Sequence, residues 1–402
     1  MIKIFYASSL CSENVLKYIF ETSSQKPGLA IQKFHRLIVE GMGMHPAECK
    51  VETLSTIPVT ATSHKKRFWK TSRENVNNVS YRYVPLINFA VIKNLGVFIY
   101  TLFSFFFRTL FKRKKEKKVI ICDVLNLSIT AASLLASRLT FTKIIAVVTD
   151  FPGMMVGNSG EKAGLKAGSY KALVSWMLSK FDGYILLTQQ MNEVVNPKNK
   201  PYMIMEGLVD ISMQTTSNVL EEKDADRILI YAGGLYEKYG IKTLIDAFFE
   251  LKGEDLKLHL YGKGQMVKDM DKYSNKDPRV IYMGIVPNEI VVRDQLKATL
   301  LINPRPTTEA FTKYSFPSKN MEYMVSGTPM VTTNLPGMPE EYHNFVYLFQ
   351  DESVEGVYDA LNTILSKTRK ELHQFGSQSK NFVMDHKNNK VQAARILDFL
   401  QL

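Results

Sequence analysis

Tyr314-Ser315-Phe316-Pro317-Ser318-Lys319-Asn320-Met321-Glu322-Tyr323-Met324-Val325-Ser326-Gly327-Thr328-Pro329 is the stretch from which the rest of the chain can be read. Pro317 suits a first helical turn, and Gly327 with Pro329 supplies the stop. Ser318 and Lys319 then lie in that first turn, where free N–H groups and the helix dipole favour an anion. Glu322 follows Ser318 by four residues and Lys319 by three, which places it on the same face. A phosphate at the helix start and a carboxylate one turn further can hold a nucleoside diphosphate with its ribose hydroxyls. A capped surface helix with a Lys–Glu pair fits the same spacing.

Upstream, Tyr231-Ala232-Gly233-Gly234-Leu235-Tyr236-Glu237-Lys238-Tyr239-Gly240-Ile241 is a strand that ends in two glycines before a helix. Paired glycines let backbone approach a ligand, and Lys238 can neutralise a phosphate. An ordinary strand–helix turn with an exposed lysine is the competing reading. Gly262-Lys263-Gly264 follows another strand and is a weak signal by itself.

Around these stretches the dominant pattern is short apolar runs alternating with helical ones. Strands are expected at 227–231, 257–261, 280–283, 299–303, 330–333 and 346–349, with helices at 241–251, 288–296, 317–325 and 354–366. Before the polar stretch Ser212–Asp224, which has the composition of a linker, the same alternation gives strands at 3–7, 51–55, 80–84, 119–123, 144–149, 183–187 and 202–205. Helical patterns at 127–139 and 170–180 lie between them, and 390–402 is a last amphipathic helix. Buried strands separated by helices indicate parallel sheets covered on both faces. Two doubly wound α/β halves follow, with ligands expected beyond the carboxyl ends of the strands and a site in the cleft between the halves.

These motifs, in their order over about 100 residues, resemble the family-4 glycosyltransferases of the GT-B fold. The matching pieces are Gly233-Gly234-Leu235, Leu260-Tyr261-Gly262-Lys263-Gly264, Val280-Ile281-Tyr282-Met283-Gly284 and the Phe-Pro-Ser-Lys…Glu-Tyr…Ser-Gly-Thr-Pro segment. The first half is similar to the family's acceptor domain more weakly, through Gln32–Gly41 and Val147-Val148-Thr149-Asp150-Phe151-Pro152. The resemblance implies two Rossmann-like domains facing across a cleft: residues 1–210 for the acceptor, 211–385 for the nucleotide-sugar donor, and a helix at 386–402 packing back on the first. It also implies transfer of a sugar with retained configuration. Glu322 would hold the donor ribose, and Ser318 and Lys319 the phosphates. Lys238 would contact the diphosphate, and the loop from Gly284 through Val286 to Pro287 would pass the base. Gly233, Gly234 and Gly262 complete the donor-binding set.

Departures from the family pattern bear on the sugar and the diphosphate. Tyr314 stands where an earlier glutamate is often found, and Gly234 where an arginine is common. Arg305 or Lys313 can substitute for the missing cation. Lys238 sits one residue before the usual lysine column, which Tyr239 fills. Breaking the bond to the sugar builds negative charge on the leaving diphosphate, which preorganised cations and N–H groups stabilise as it forms. With no Asp-x-Asp motif at a strand end, neither a bound metal nor a resident cofactor is expected. Asp150, at a strand end, is the candidate base, with helix capping as its structural alternative. Asp150, Lys238 and Glu322 are thus the candidate catalytic residues.

The 402-residue chain is 45% apolar and 22% charged, which excludes a disordered or collagen-like protein. Its three cysteines, Cys11, Cys49 and Cys122, form neither a disulfide framework nor a zinc ribbon, as expected in a reducing cytosol. The opening Met1–Ala7 is a first strand by its pattern, its apolar run being short for a signal peptide. Asn94–Phe107 is uncharged, but as a helix it spans only ~21 Å, too short for a bilayer. Asn94, Thr101, Ser104 and Arg108 fall on one side of it, so it is amphipathic. Directly after it, Lys112–Lys118 holds six basic residues and one acid, +5 of the chain's +12. Together these features predict peripheral contact with an anionic membrane through Phe103, Phe106, Lys112, Arg113, Lys114 and Lys115. The expected partner is then a lipid-linked saccharide on the cytoplasmic face of the plasma membrane, in surface-polysaccharide synthesis. Nucleic acid is not expected, since no recognition motif accompanies the basic run. A nucleotide-sugar 2-epimerase and a degenerate nucleotide-sugar-binding scaffold share this architecture and remain as alternatives.

Overall fold

A computed structural model describes residues 1–111, 116–151 and 165–401. The chain divides into two units, one of Met1–Leu208 with Asn389–Leu402 and one of Val209–Asn388. In chain order the first unit has β1 (Ile2–Ser8), α1 (Glu13–Thr22), α2 (Leu29–Gly43), β2 (Cys49–Ser55), β3 (Phe68–Trp69), β4 (Ser72–Val76), β5 (Val79–Tyr83), β6 (Leu86–Ile87), α3 (Ala90–Leu110), β7 (Lys117–Asp123), α4 (Leu127–Leu139), β8 (Lys143–Val148), α5 (Leu165–Leu178), β9 (Gly183–Leu186), α6 (Gln189–Val195) and β10 (Tyr202–Ile204). Its main sheet runs β10-β9-β8-β7-β1-β2-β5-β4. Every pair is parallel except β4 with β5. β1 lies at its centre, and Ile4, Phe5, Tyr6 and Ala7 are all fully buried, as a strand covered on both faces requires.

β3 and β6 form a separate antiparallel ribbon, with Phe68 opposite Ile87 and Trp69 opposite Leu86. Two-residue strands carry too little periodicity to be predicted, and neither was. The helix expected at 94–107 runs further, over the whole of α3, and of its polar stripe Thr101 is buried and Ser104 and Arg108 half-buried, while Asn94 is exposed. Val97, Thr101, Phe105 and Thr109, spaced by four, are buried. Phe105 packs edge-on against Phe5 of β1, and Thr109 Oγ1 donates to Thr140 Oγ1 at 2.8 Å. Arg108 pairs with Glu52 of β2. That carboxylate pairs the Arg108 charge, while Thr101 Oγ1 and Ser104 Oγ on the same side have no hydrogen-bond partner among the described residues. Ile92, Leu95, Ile99, Phe103, Phe107 and Leu110 are left exposed. Phe107 rather than the half-buried Phe106 leads this outer stripe. Among the described residues no helix is long and apolar enough to cross a membrane.

The second unit contains β11 (Arg227–Ala232), α7 (Ile241–Glu250), β12 (Leu256–Tyr261), α8 (Met270–Lys276), β13 (Val280–Gly284), α9 (Asn288–Lys297), β14 (Leu300–Asn303), α10 (Ser318–Ser326), β15 (Met330–Thr333), β16 (Tyr347–Phe349), α11 (Val354–Leu365) and α12 (Arg369–His386). Its sheet is wholly parallel, in the order β13-β12-β11-β14-β15-β16. β11 is buried on both sides: Leu229 and Tyr231 enter one core with Phe248 and Leu258, and Ile228 and Ile230 enter the other with Met324 and Phe382. The stretch 212–224, expected as a linker, belongs to this unit and holds two short 3-10 turns, Ile211–Thr215 and Leu220–Glu222. The chain then returns to the first unit as α13 (Asn389–Gln401), which packs on α2. A Cβ on Gly41 of α2 would fall 2.1 Å from the Asn389 carbonyl oxygen, so only glycine lets the two helices approach this closely.

Candidate functional site

In the second unit the chain winds outward from β11 in both directions, so strand order reverses between β11 and β14. A doubly wound sheet opens its ligand crevice at such a point, beyond the carboxyl ends of the strands. The residues there are the Gly233 turn after β11 and Pro304-Arg305 after β14, and α10 begins beside them. The turn is laced to its neighbours by backbone. Gly233 N–H donates to the Tyr261 carbonyl at 2.9 Å, and Gly262 N–H to the Gly284 carbonyl at 2.9 Å. Gly262 has φ +123°, and a Cβ there would lie 1.9 Å from the Gly233 carbonyl oxygen. The loops after β11, β12 and β13 thus form one wall. Gly284, at φ +78°, faces open space, and the half-buried Val286 beyond it packs on the core.

α10 starts at Pro317 with no side-chain cap, so the Ser318 and Lys319 N–H groups of its first turn are left for a ligand. Ser318 is exposed, and Lys319 is half-buried. Lys319 Nζ donates to Tyr231 Oη at 2.7 Å and sits 4.0 Å from the centre of that ring. Tyr231 in turn donates to the Gly234 carbonyl at 2.8 Å. A Cβ on Gly233 would fall 1.8 Å from Lys319 Nζ, so the turn needs glycine for the ammonium to reach this position. Arg305 lies over the Tyr239 ring at 4.9 Å and the Phe311 ring at 5.5 Å, and its buried Nε has no hydrogen-bond partner. Burial, reinforced by the Arg305 charge and opposed by Glu322, lowers the Lys319 ammonium to about 7. Burial likewise lowers Arg305. Two cations therefore face the strand ends without a carboxylate bonded to either among the described residues. Such a pair is stabilised by a multiply charged anion.

Lys238 lies within 5.9 Å of the Tyr236 ring centre and 5.6 Å of the Tyr239 ring centre, beside the same crevice. Glu322 is one turn along α10, half-buried, and makes no hydrogen bond or ion pair among the described residues. Its carboxylate is therefore available to hydroxyl donors. Tyr314 closes the 3-10 turn Ala310–Tyr314 that precedes the helix. The structure thus brings Gly233, Gly234, Lys238, Gly262, Arg305, Ser318 and Lys319 to one set of loop ends. Asp150 belongs to the other unit, after β8, where burial raises its carboxyl and the Phe151 N–H donates to it at 2.8 Å. Phe103 and Phe106 are on α3 of that unit, and Lys112, Arg113, Lys114 and Lys115 lie outside the described residues.

Sequence reading missed Tyr231 and Tyr239, which seat the two cations. The signal was present, since Tyr231 ends an apolar strand and Tyr239 fills a column where a lysine was expected. Their role needed the three-dimensional meeting with α10 and Arg305.

Comparison with known proteins bears on the fold and on the 226–367 region. Residues 226–367 match the model of the family described as glycosyl transferases group 1. No protein with a curated description matches the chain in sequence. Among solved structures, sucrose-phosphate synthase from Thermosynechococcus elongatus is 12% identical, with a TM-score of 0.65 over 99% of this chain and 98% of that one. The lipopolysaccharide outer core galactosyltransferase WaaB is 14% identical, with a TM-score of 0.60 over 100% of both chains. Anabaena HepE in complex with UDP is 11% identical, with a TM-score of 0.60 over 99% of both. Likeness at such identities is likeness of fold, and it extends over the whole chain. The chain has the GT-B fold with two Rossmann-like domains, and its 226–367 domain, matched to the group 1 glycosyltransferases, indicates an enzyme of the hexosyltransferase class that uses a nucleotide-sugar.

Proposed function

We propose that the chain is a retaining family-4 glycosyltransferase. It takes a sugar from a UDP- or GDP-linked donor and passes it to a lipid-linked saccharide during surface-polysaccharide synthesis. It works at the inner face of the plasma membrane, which it reaches through α3 and the basic run that follows. The observation that carries the donor part is the pair Arg305 and Lys319, two cations with no carboxylate bonded to them among the described residues, beside the uncapped start of α10. A diphosphate supplies the missing charge. Ser318 and Lys319 N–H groups would bind one phosphate. Arg305, with Lys238 nearby, would stabilise the charge that develops on the leaving diphosphate, in place of the arginine absent at Gly234. Glu322 would accept hydrogen bonds from the ribose hydroxyls. Gly233, Gly234 and Gly262 would let backbone approach the donor, and Gly284 and Val286 would flank the base. Tyr314 would face the sugar, and Asp150 would act on the acceptor hydroxyl. The donor is a substrate, and the reading needs no resident cofactor or metal. The membrane-associated acceptor is supported by the outward apolar face of α3.

Calorimetric titration with UDP and with GDP, beside Glu322→Ala, tests the reading. Binding of one nucleotide, weakened at least tenfold by the substitution (a factor of ten being about 1.4 kcal/mol), is expected. Absence of binding to both would refute it. Sugar release from the matching nucleotide-sugar then separates an enzyme from a scaffold.

A further inference from the structure

The first unit carries a second basic run that accompanies exposed aromatics. Lys65-Lys66-Arg67-Phe68-Trp69-Lys70 leads into and through β3, with Lys65, Lys66 and Lys70 exposed and Phe68 67% exposed. From residue 53 to residue 115 the sequence has twelve Lys and Arg against one acid, Glu74, so this segment holds +11 of the chain's net +12. Of these, the exposed Lys65, Lys66 and Lys70 accompany the apolar ribbon, whereas Arg82 and Arg108 pair with Glu52.

Two apolar grooves flank α3. One, of about 810 Å³, runs between its outer stripe and the β3–β6 ribbon, along Trp69, Leu86, Ile87, Ile99, Phe103 and Phe107. The other, of about 690 Å³, lies between Phe98 of α3 and helices α4 and α5, along Leu135, Leu173 and Trp176. Trp176 is 58% exposed. Phe103 and Phe107 stack at 6.2 Å on the ridge that borders the first groove. Lysines at the rim complete the pattern. Lys70 lines the first groove, Lys180 the second, and Lys66 Nζ caps the Trp69 ring at 4.4 Å. Exposed aromatics with lysines at the rim of each groove match a bilayer interface with anionic headgroups. They do not match a second copy of this cationic face, which would meet like charge.

We propose that the outer face of α3, the β3–β6 ribbon and the exposed side of α4 and α5 form one docking surface for an anionic lipid bilayer. The groove beside the ribbon takes a hydrocarbon chain of a bilayer lipid. The inference deepens the membrane part of the proposed function and rests on it. It adds the ribbon as the second anchor and assigns the groove its ligand class.

The chain's two tryptophans, Trp69 and Trp176, lie one in each groove and report on the surface directly. The full chain is mixed with vesicles of phosphatidylcholine alone or with 30% phosphatidylglycerol, the latter also with brominated acyl chains. Binding only to the anionic vesicles is expected, with both tryptophans quenched by bromine when read one at a time in Trp69→Phe and Trp176→Phe. Lys65→Glu/Lys66→Glu/Lys70→Glu should lower partitioning at least tenfold, and Phe68→Ser/Phe103→Ser/Phe107→Ser should abolish quenching. The charge-matched Lys252→Glu/Lys268→Glu/Lys367→Glu on the second unit should bind as the parent does. Equal loss in that control, equal binding to neutral vesicles, or bound protein with Trp69 unquenched would overturn the proposal. So would a concentration-dependent dimer, seen by light scattering, that the phenylalanine substitutions dissolve. Nucleotide titration of the same variants keeps the two readings apart: vesicle binding without nucleotide binding refutes only the donor site, and the reverse refutes only the surface.

Discussion

α10 and α3 use their helices in opposite ways. α10 is nine residues long and buried along most of its length, and its chemistry is concentrated at one end, where backbone N–H groups are left without partners. α3 is twenty-one residues long, and its chemistry lies along its side. The end of a helix is defined by local sequence, because a proline, a serine and a lysine in fixed order produce the same unpaired N–H groups in any surroundings. The side of a helix is defined by what packs against it. On α3 the stripe of Val97, Thr101, Phe105 and Thr109 turns inward, with Arg108 beside it paired to the Glu52 carboxylate of β2.

The sharpest way to break that description of α3 is to exchange its faces energetically. Phe105 is fully buried against Phe5, so Phe105→Ala should destabilise the protein by about 3–5 kcal/mol in urea unfolding. A cost under ~1 kcal/mol would mean that the inward stripe is not core. For α10 the corresponding change is Lys319→Met, which keeps the stem over Tyr231 and removes the charge. Turnover of the donor should fall about 100-fold, or ~3 kcal/mol in the barrier, with the thermal midpoint unchanged within a few degrees. Loss of stability in place of activity would make Lys319 a structural residue.

How much of this was legible in the sequence follows from the same contrast. The inner strands of both sheets announced themselves as apolar runs because they are covered on both faces, as Ile228–Tyr231 are, whereas the polar, largely exposed edge strand β4 was not expected. Ser318, Lys319 and Glu322 were legible because helix spacing alone puts them together. α12 was not foreseen, although Thr368 and Glu371 form a capping box at its start. Its eighteen residues bury few large apolar groups, and Gly376 is there because a Cβ would strike the Gly327 carbonyl oxygen at 2.2 Å. That constraint is tertiary and leaves no periodic trace. The Tyr231–Lys319 and Tyr239–Arg305 contacts join residues 88 and 66 positions apart and were invisible for the same reason. The Arg108–Glu52 pair under α3 likewise joins residues 56 positions apart.

A smaller effect sharpens the account of α10. Lys319 in the empty site loses its proton at about 7, and a bound diphosphate would hold that proton on. The group's affinity for a proton is higher in the complex, so the added binding energy is present below the free value and lost as pH rises through it. Nucleotide affinity should therefore fall about tenfold per unit above pH 7, measured by calorimetry between pH 7 and 8.5. Lys319→Met should flatten the profile. A parent profile that is already flat would mean that Lys319 keeps its proton in the empty site.

The smallest expected effect tests the outer stripe of α3 from the other side. Phe107 is 60% exposed, and its ring meets those of Phe103 and Phe106 and lines the groove. Phe107→Ser should change stability in urea by no more than about 0.5 kcal/mol, a surface value, while weakening partition to anionic vesicles. The two readings together matter more than either. A large stability cost would mean that Phe107 is covered in solution, by a second copy or by another part of the chain, and the apolar face would then be an interior one. A small cost with lost vesicle binding leaves a ring that contributes little to folding and is kept for the surface it meets.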